Sequence, residues 1–323
     1  MVGRRGRKGK HFSSWRDALV GLGVDVLFLV VSPVRGGVAT WWDEQLDDAA
    51  VRLRRFPGVG VIRSLRSRSG RRVRHLMIDG LAHECSAVPE LAASKVIERF
   101  GPDVVVGNSV RRATWETVVS MCRAAAIPTV LYVREEDSLA YFDGAAPPGD
   151  AFVANARSLR ESVSRTGVEC AFIPSVIETG PTRTESLRRT ALVVNPVESR
   201  GASIVERIAC AVPEVSFVVQ ESWPLGPTEL RWVETHLASL PNVEFRRAGP
   251  PGSGLYGDAR VLLVPYRVDN RPRVIAEAQA NGIPVIVGDV PALREALGDG
   301  GLVVPLEDVG EWAAAIRRAF DDA

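Results

Sequence analysis

Two acidic side chains, Asp269 and Glu277, stand with seven residues between them in DNRPRVIAEAQANGIPVIVGD, residues 269–289. Pro272 suits the first turn of a helix, where its missing N–H is not needed, so a helix is expected over about 272–281. Asp269 or Asn270 is placed to cap that helix. Gly282 ends it and Pro284 prevents its continuation. Asp269 then lies at or just before the helix start, and Glu277 about one and a half turns into it. The open N–H groups and the dipole of a helix start favour an anion such as phosphate. A carboxylate on each side of that point accepts hydrogen bonds from hydroxyl groups flanking the phosphates. A nucleotide-diphosphate sugar has that layout, with sugar hydroxyls on one side and ribose hydroxyls on the other. Spacing alone is met more simply by Asp269 as a cap and Glu277 as an exposed helix charge.

The elements that must hold these residues alternate between strand and helix. VDVLFLVV, PDVVVGNS, TVLYVRE and AFVANA read as buried strands, with helices in ELAASKVIERFG, ATWETVVSMCRAAAIP and SLRESVSRTG between them. VRHLMID is a weaker strand after an Arg-rich loop, and ECAFIPSV a last short strand of this half. A second series follows the polar stretch ETGPTRTESLRRT, through ALVVNP, VSFVVQES, VEFRRAG, ARVLLVPY, PVIVGD and GLVVP. The fold class expected is α/β, with two Rossmann-like domains facing each other across a cleft. The boundaries drawn are a basic tail at 1–22, an N-terminal domain at 23–180, a linker at 181–190, a C-terminal domain at 191–308 and a final helix at 309–323.

Length and composition bound the rest. A chain of 323 residues with 46% hydrophobic and 24% charged residues is long enough for two ordinary soluble domains. The longest apolar run, VDVLFLVVSP at 24–33, is strand-sized and too short to span a membrane. The basic start runs into His, Ser, Asp and Trp and lacks the apolar core of a secretory signal, so a cytoplasmic location is expected. Cys85, Cys122, Cys170 and Cys210 are far apart with no C-x-x-C pairing, which reads as buried free thiols and not as a zinc site. The net charge of +1 conceals an asymmetry: residues 1–80 carry 16 Lys and Arg against 7 Asp and Glu. The basic clusters GRRGRKGK and RSLRSRSGRR read as a tail and a solvated loop, or as a peripheral contact with an anionic membrane surface. No aromatic residues interleave with them in a nucleic-acid-binding module, so no nucleic-acid partner is expected. No G-x-G-x-x-G follows the first strand, which disfavours a nicotinamide dehydrogenase.

The segment from Pro265 to Ile316 resembles the C-terminal domain of GT-B glycosyltransferases of the group 1 (family 4) type. That family has two acids separated by seven residues, a small-residue helix ending in Gly-x-Pro-Val, a Glu in the next short helix and a Gly-Gly before an apolar strand. Asp269, Glu277, the stretch Ala280 to Val285, Glu295 and Gly300–Gly301 occupy those places. ALVVNPVESRGASIVERIA is similar to the strand, phosphate loop and helix that open the same domain; the N-terminal half matches loosely. The resemblance implies that Glu277 binds ribose hydroxyls, that Asp269 approaches the hydroxyls of the transferred sugar, and that Arg200 binds the diphosphate. It implies retaining transfer from a nucleotide-diphosphate sugar to an acceptor hydroxyl, with no metal and no cofactor. Two departures stand out. Asp269 replaces the usual Glu, and Asn195 with Arg200 replaces an Arg and Lys pair five apart, so one positive charge is a neutral amide. Arg273 either supplies the missing charge or is a solvated helix arginine.

In the N-terminal half, Gly36 and Gly37 permit close backbone approach to a ligand or simply form a turn. Arg134, Glu135 and Asp137, after the strand TVLYV, are candidates for acceptor contact or for a solvated loop. His83 after MIDGLA is a candidate polar group of the cleft, though an isolated His is more often structural. Of Trp41 and Trp42, one is expected in the core while the other stacks on an acceptor ring; Trp42 is the one assigned to the acceptor. Two alternatives remain at this stage: a sugar-nucleotide epimerase on the same fold, and a non-catalytic binding protein with a degenerate site.

Overall fold

The computed structural model of the chain describes residues 25, 27–31, 65–66, 72–78, 81–86, 89–108, 112–135, 145–175, 177, 180–222, 225–248 and 254–321. The chain divides into two compact units, residues 1–155 with 160–173 and residues 156–159 with 174–323.

The second unit is built on six parallel strands. These are β9 (Thr190–Val194), β10 (Phe217–Gln220), β11 (Val243–Arg246), β12 (Ala259–Val264), β13 (Val285–Gly288) and β14 (Gly301–Val304). Their spatial order is β11-β10-β9-β12-β13-β14, so the sequence direction reverses between β9 and β12. Both faces are covered, which explains the nearly unbroken apolar runs. Side chains alternate between faces along each strand. Ala191, Val193, Phe217, Val219, Val261 and Leu263 pack with α4 (Ala202–Ala211), α5 (Pro227–His236) and α8 (Val309–Asp321). Leu192, Val194, Val218, Leu262, Val264, Val285 and Val287 face α6 (Arg273–Ala280) and α7 (Pro291–Leu297). Trp312 and Ile316 of α8 are fully buried in the first of these clusters, so the terminal helix is part of this unit's core.

The stretch expected as a linker is laid on this unit. Thr184 N donates to Asn281 Oδ1 (2.7 Å), Ser186 Oγ to Ala259 O (2.6 Å) and Leu187 N to Gly257 O (2.7 Å). A concavity of about 440 Å³ between Arg183, Thr184, Glu185, Ala280 and Asn281 lies at the carboxyl end of α6.

Among the described residues the first unit shows two sheets. One is parallel, with β5 (Val105–Asn108), β6 (Thr129–Val133), β7 (Ala151–Ala154) and β8 (Cys170–Phe172) in sequence order. Here α1 (Pro89–Phe100) leads in, α2 (Arg112–Ala124) follows β5, and α3 (Arg157–Ser164) follows β7. Trp115 of α2 lies against Gly107, where a Cβ would run into its ring, and its Nε1 donates to Pro148 O (2.5 Å). Asp150 clips β6 to β7, accepting from Thr129 N (2.8 Å) and Thr129 Oγ1 (2.7 Å). The Thr129 hydroxyl and amide hold this carboxyl below the usual aspartate range.

The other sheet departs from the expected all-parallel pattern. β1 (Leu27–Val31) pairs in parallel with β4 (Leu81–Ser86), but β3 (Arg72–Ile78) is antiparallel to both β4 and β2 (Leu65–Arg66). The Asp79–Gly80 pair between two strands is a hairpin signal, and LAHECS, with few apolar residues, carries too weak an alternation to announce β4. Part of the Arg-rich segment is likewise paired strand rather than loop, since Arg66 faces Arg72. Cys122 and Cys170 are buried free thiols, burial pushing Cys170 up to about 11; Cys210, expected to be buried, is exposed. Among the described residues no helix is long and apolar enough to cross a membrane.

Candidate functional site

In an open parallel sheet the loops leaving adjacent strands in opposite directions open a crevice at the carboxyl edge. Here that point lies between β9 and β12. The loop after β9 starts at Asn195, which adopts a left-handed φ of 60°, unusual for a residue with a side chain. Residues Glu198–Arg200 form a single 3-10 turn, and Gly201 at φ 76° starts α4. A Cβ on Gly201 would fall on the Pro265 carbonyl oxygen, so the two loops touch through backbone. Arg267 N donates to Ser199 O (3.1 Å), a second tie. The Arg200 guanidinium stacks 4.6 Å from the centre of the Tyr266 ring, the geometry of a cation–π contact.

The loop after β12 leads into α6. Its N-cap is Pro272, with no side-chain cap. The expectation that Asp269 or Asn270 caps this helix is therefore corrected. Asp269 Oδ1 accepts from Ala292 N (2.7 Å) and caps the start of α7 instead. The reason is tertiary: β12 and β13 are neighbours, so the loop leaving one meets the helix following the other. The first amides of α6 have no intrahelical acceptor. Beside them Asn270 is buried with Oδ1 lacking a partner, and Arg271 Nε is buried and equally without one. Asp269→Ala is expected to lower stability by about 1 kcal/mol through the lost cap. Asp269→Asn keeps an acceptor for Ala292 N, and its urea midpoint should match the parent.

Glu277 is not an exposed helix charge: it is 4% exposed, and Oε2 accepts from the Tyr256 hydroxyl (2.7 Å). Arg273 is enclosed with it rather than solvated, its Nε 3.9 Å from Glu277 Oε1. Tyr256 is 21 residues away in sequence, and nothing in the residue pattern pairs the two.

A third group stiffens the same edge of the sheet. Asn195 Nδ2 donates to Ser222 Oγ (2.5 Å), and Asn195 Oδ1 accepts from Ser222 N (2.7 Å). The neutral amide at this position is thus spent on the loop after β10, and Asn195 is 2% exposed. Next to it Glu221, also 2% exposed, accepts from Leu225 N (3.2 Å) and Ala248 N (2.9 Å), with Arg247 Nε at 3.2 Å. One buried carboxylate ties the loops after β10 and β11. Glu221→Ala would leave the buried Leu225 amide and the part-buried Ala248 amide without their acceptor, and we expect a loss of roughly 2 kcal/mol in urea unfolding. An unchanged midpoint would remove this role. Glu221 and Ser222 were missed from sequence because a Glu-Ser pair after a strand looks like any polar loop.

The structure brings Asn195, Arg200, Asp269, Asn270, Arg273 and Glu277 onto the loops and helix at one edge of one sheet. The remaining candidates belong to the first unit. Arg134 is buried, its guanidinium 5.9 Å from the Tyr132 ring, with half-buried Glu135 beside it. His83 lies mid-strand in β4, in register with Phe28 and Leu76. Gly36, Gly37, Trp41, Trp42 and Asp137 lie outside the described residues, as does the basic cluster at 3–10.

A parallel sheet with this strand order in one unit, and a further parallel sheet in the other, defines the chain as a GT-B fold protein. HepE of Anabaena, solved with UDP and glucose, superposes with a TM-score of 0.62 at 14% identity, over 91% of this chain and 82% of that one. The sucrose-phosphate synthase of Thermosynechococcus elongatus gives 0.64 at 14% identity, over 92% and 90%. The sequence profile described as glycosyl transferases group 1 matches residues 223–322, which bears out the resemblance over the stretch holding Asp269 and Glu277. A D-inositol 3-phosphate glycosyltransferase of Corynebacterium kroppenstedtii is 31% identical over 100 residues, 30% of this chain and 22% of that relative's length.

Proposed function

We propose that this chain transfers a sugar from a nucleotide-diphosphate sugar to an acceptor hydroxyl. The observation that carries the reading is the uncapped start of α6 at the turning point of the sheet, flanked by the orphaned, buried Asn270 Oδ1 and Arg271 Nε. Buried polar groups are kept without partners where a ligand completes them. The amides of a helix start and the Arg200 guanidinium suit a diphosphate, and they stabilise the charge that builds on it as the bond to the anomeric carbon breaks. The acceptor oxygen replaces the phosphate oxygen on that carbon, and its proton leaves with the diphosphate. Asp269, one oxygen spent on α7, has the other for a hydroxyl of the transferred sugar. Glu277, held by Tyr256 and Arg273, retains acceptor sites for the ribose. The reading takes retention of anomeric configuration and independence of metal ions and of any cofactor.

Calorimetry with UDP, GDP and dTDP tests the site, and incubation of the matching nucleotide sugars with polyol acceptors in EDTA tests the chemistry. One nucleotide should bind and one donor should yield a glycoside of unchanged anomeric configuration by NMR. No binding of any of the three would overturn the reading.

A further inference from the structure

The loop after β12 does more than approach the loop after β9. Its dipeptide Tyr266–Arg267 touches each residue of the turn Glu198–Arg200 in a different way. Arg267 Nε stands 3.1 Å from Glu198 Oε1, and Arg267 N donates to Ser199 O (3.1 Å). The buried Tyr266 ring lies 4.6 Å from the Arg200 guanidinium. Arg267 is itself held from a second side, because Nη1 pairs with Glu307 just before α8. Glu307 is anchored in turn by Arg207 Nη2 of α4 (2.6 Å). Glu198 is anchored as well, accepting from Ser203 Oγ (2.9 Å) and Ser203 N (3.3 Å) in the first turn of α4. One arginine thus bridges the two loops and the approach to the terminal helix, all within the second unit.

We propose that Arg267 is a positioning residue for Arg200, fixing the turn that presents that guanidinium to the diphosphate. The assignment rests on the reading of Arg200 given above. Folding stability does not account for the arrangement. The two carboxylates are 63% and 53% exposed, and exposed ion pairs add little to stability. What they supply is local order. The turn has no buried residue of its own, so the hydrophobic core does not set its place. Tyr266 fixes the plane against which the Arg200 guanidinium lies, and Arg267 fixes the backbone from which it extends. The planar fork of Arg267 can meet two carboxylates at once, which a mobile ammonium does less well. A turn ordered before the ligand arrives spares the binding step that cost.

Calorimetry on the full chain tests this, with UDP, GDP and dTDP as probes. Arg267→Ala should weaken the nucleotide that the parent binds by about fivefold, while the thermal midpoint stays within about 2 °C of the parent. In an Arg200→Ala background the same change should cost nothing further, because no guanidinium is left to position. Arg267→Lys keeps a charge between the two carboxylates and should bind about twofold more tightly than Arg267→Ala. Glu198→Gln retains an acceptor for Ser203 and breaks the ion pair from its other end. It should reproduce the loss, and it takes the place of Arg267→Ala if that protein melts early. Parental affinity in both Arg267→Ala and Glu198→Gln overturns the role. So does an equal loss with and without Arg200, the mark of a general structural effect. A parent that binds none of the three probes defeats the nucleotide reading and this role together, an outcome distinct from binding that ignores Arg267.

Discussion

Arg200→Ala is expected to weaken binding of the productive nucleoside diphosphate by roughly 10- to 100-fold, the range for one charge-assisted hydrogen-bonding group. It should lower transfer further, by about 100- to 1000-fold, because the lost group acts most strongly on the charge that develops as the diphosphate departs. The rationale is local. Arg200 ends a single turn on the loop after β9, and the Tyr266 ring stacks against its guanidinium before any ligand arrives. A guanidinium held in plane can meet two phosphate oxygens at once, whereas a lysine is a mobile point charge. Arg200→Lys should therefore recover part of the binding and little of the rate. Calorimetry and initial rates on the three proteins decide the matter. Equal affinity in parent and Arg200→Ala would take Arg200 out of the site.

Gly201→Ala should produce a large loss of stability for a single methyl addition. Two costs combine. The residue sits at φ 76°, which L-residues adopt at a cost, and the new Cβ would fall on the Pro265 carbonyl oxygen, a backbone atom that no rotamer change can move. We expect roughly 3 kcal/mol or more, read as a fall in thermal midpoint on the order of 10 °C. The damage should extend to function, since the displaced loop carries Arg200. Gly298, also at positive φ but with nothing within 4 Å of a built Cβ, is the control. Its alanine variant has only the conformational cost, about 1 kcal/mol. Equal midpoints for the two variants would contradict the backbone-contact argument.

Much of the second unit was legible because its signals are local. ALVVNP, ARVLLVPY and PVIVGD became β9, β12 and β13, and the helix expected near 272–281 is Arg273–Ala280 followed by Gly282 at φ 64°. What the residues could not announce depends on partners distant in sequence. Asp269 reaches the helix after the next strand, and Glu277 is buried because Tyr256 comes up beneath it. Asn195 reads as a weakened phosphate ligand until Ser222 is seen to occupy both ends of its amide. The mixed first sheet escaped because β4, between its hairpin partner β3 and the parallel β1, lacks the apolar run of a buried parallel strand. Asn108, the last residue of β5, and Asn155, just after β7, read only as the ends of apolar runs, and nothing in the sequence marks their amides as buried.

The crevice between β9 and β12 has a kinetic corollary. Leu192 pairs with Leu262, so closing this junction spans the two strands and two helices that lie between them in sequence. Pairings of such long range are late and entropically costly steps in assembly. A diphosphate that recognises only the finished corner has nothing to hold in the half-assembled chain. It would act as a latch, slowing unfolding without hastening refolding.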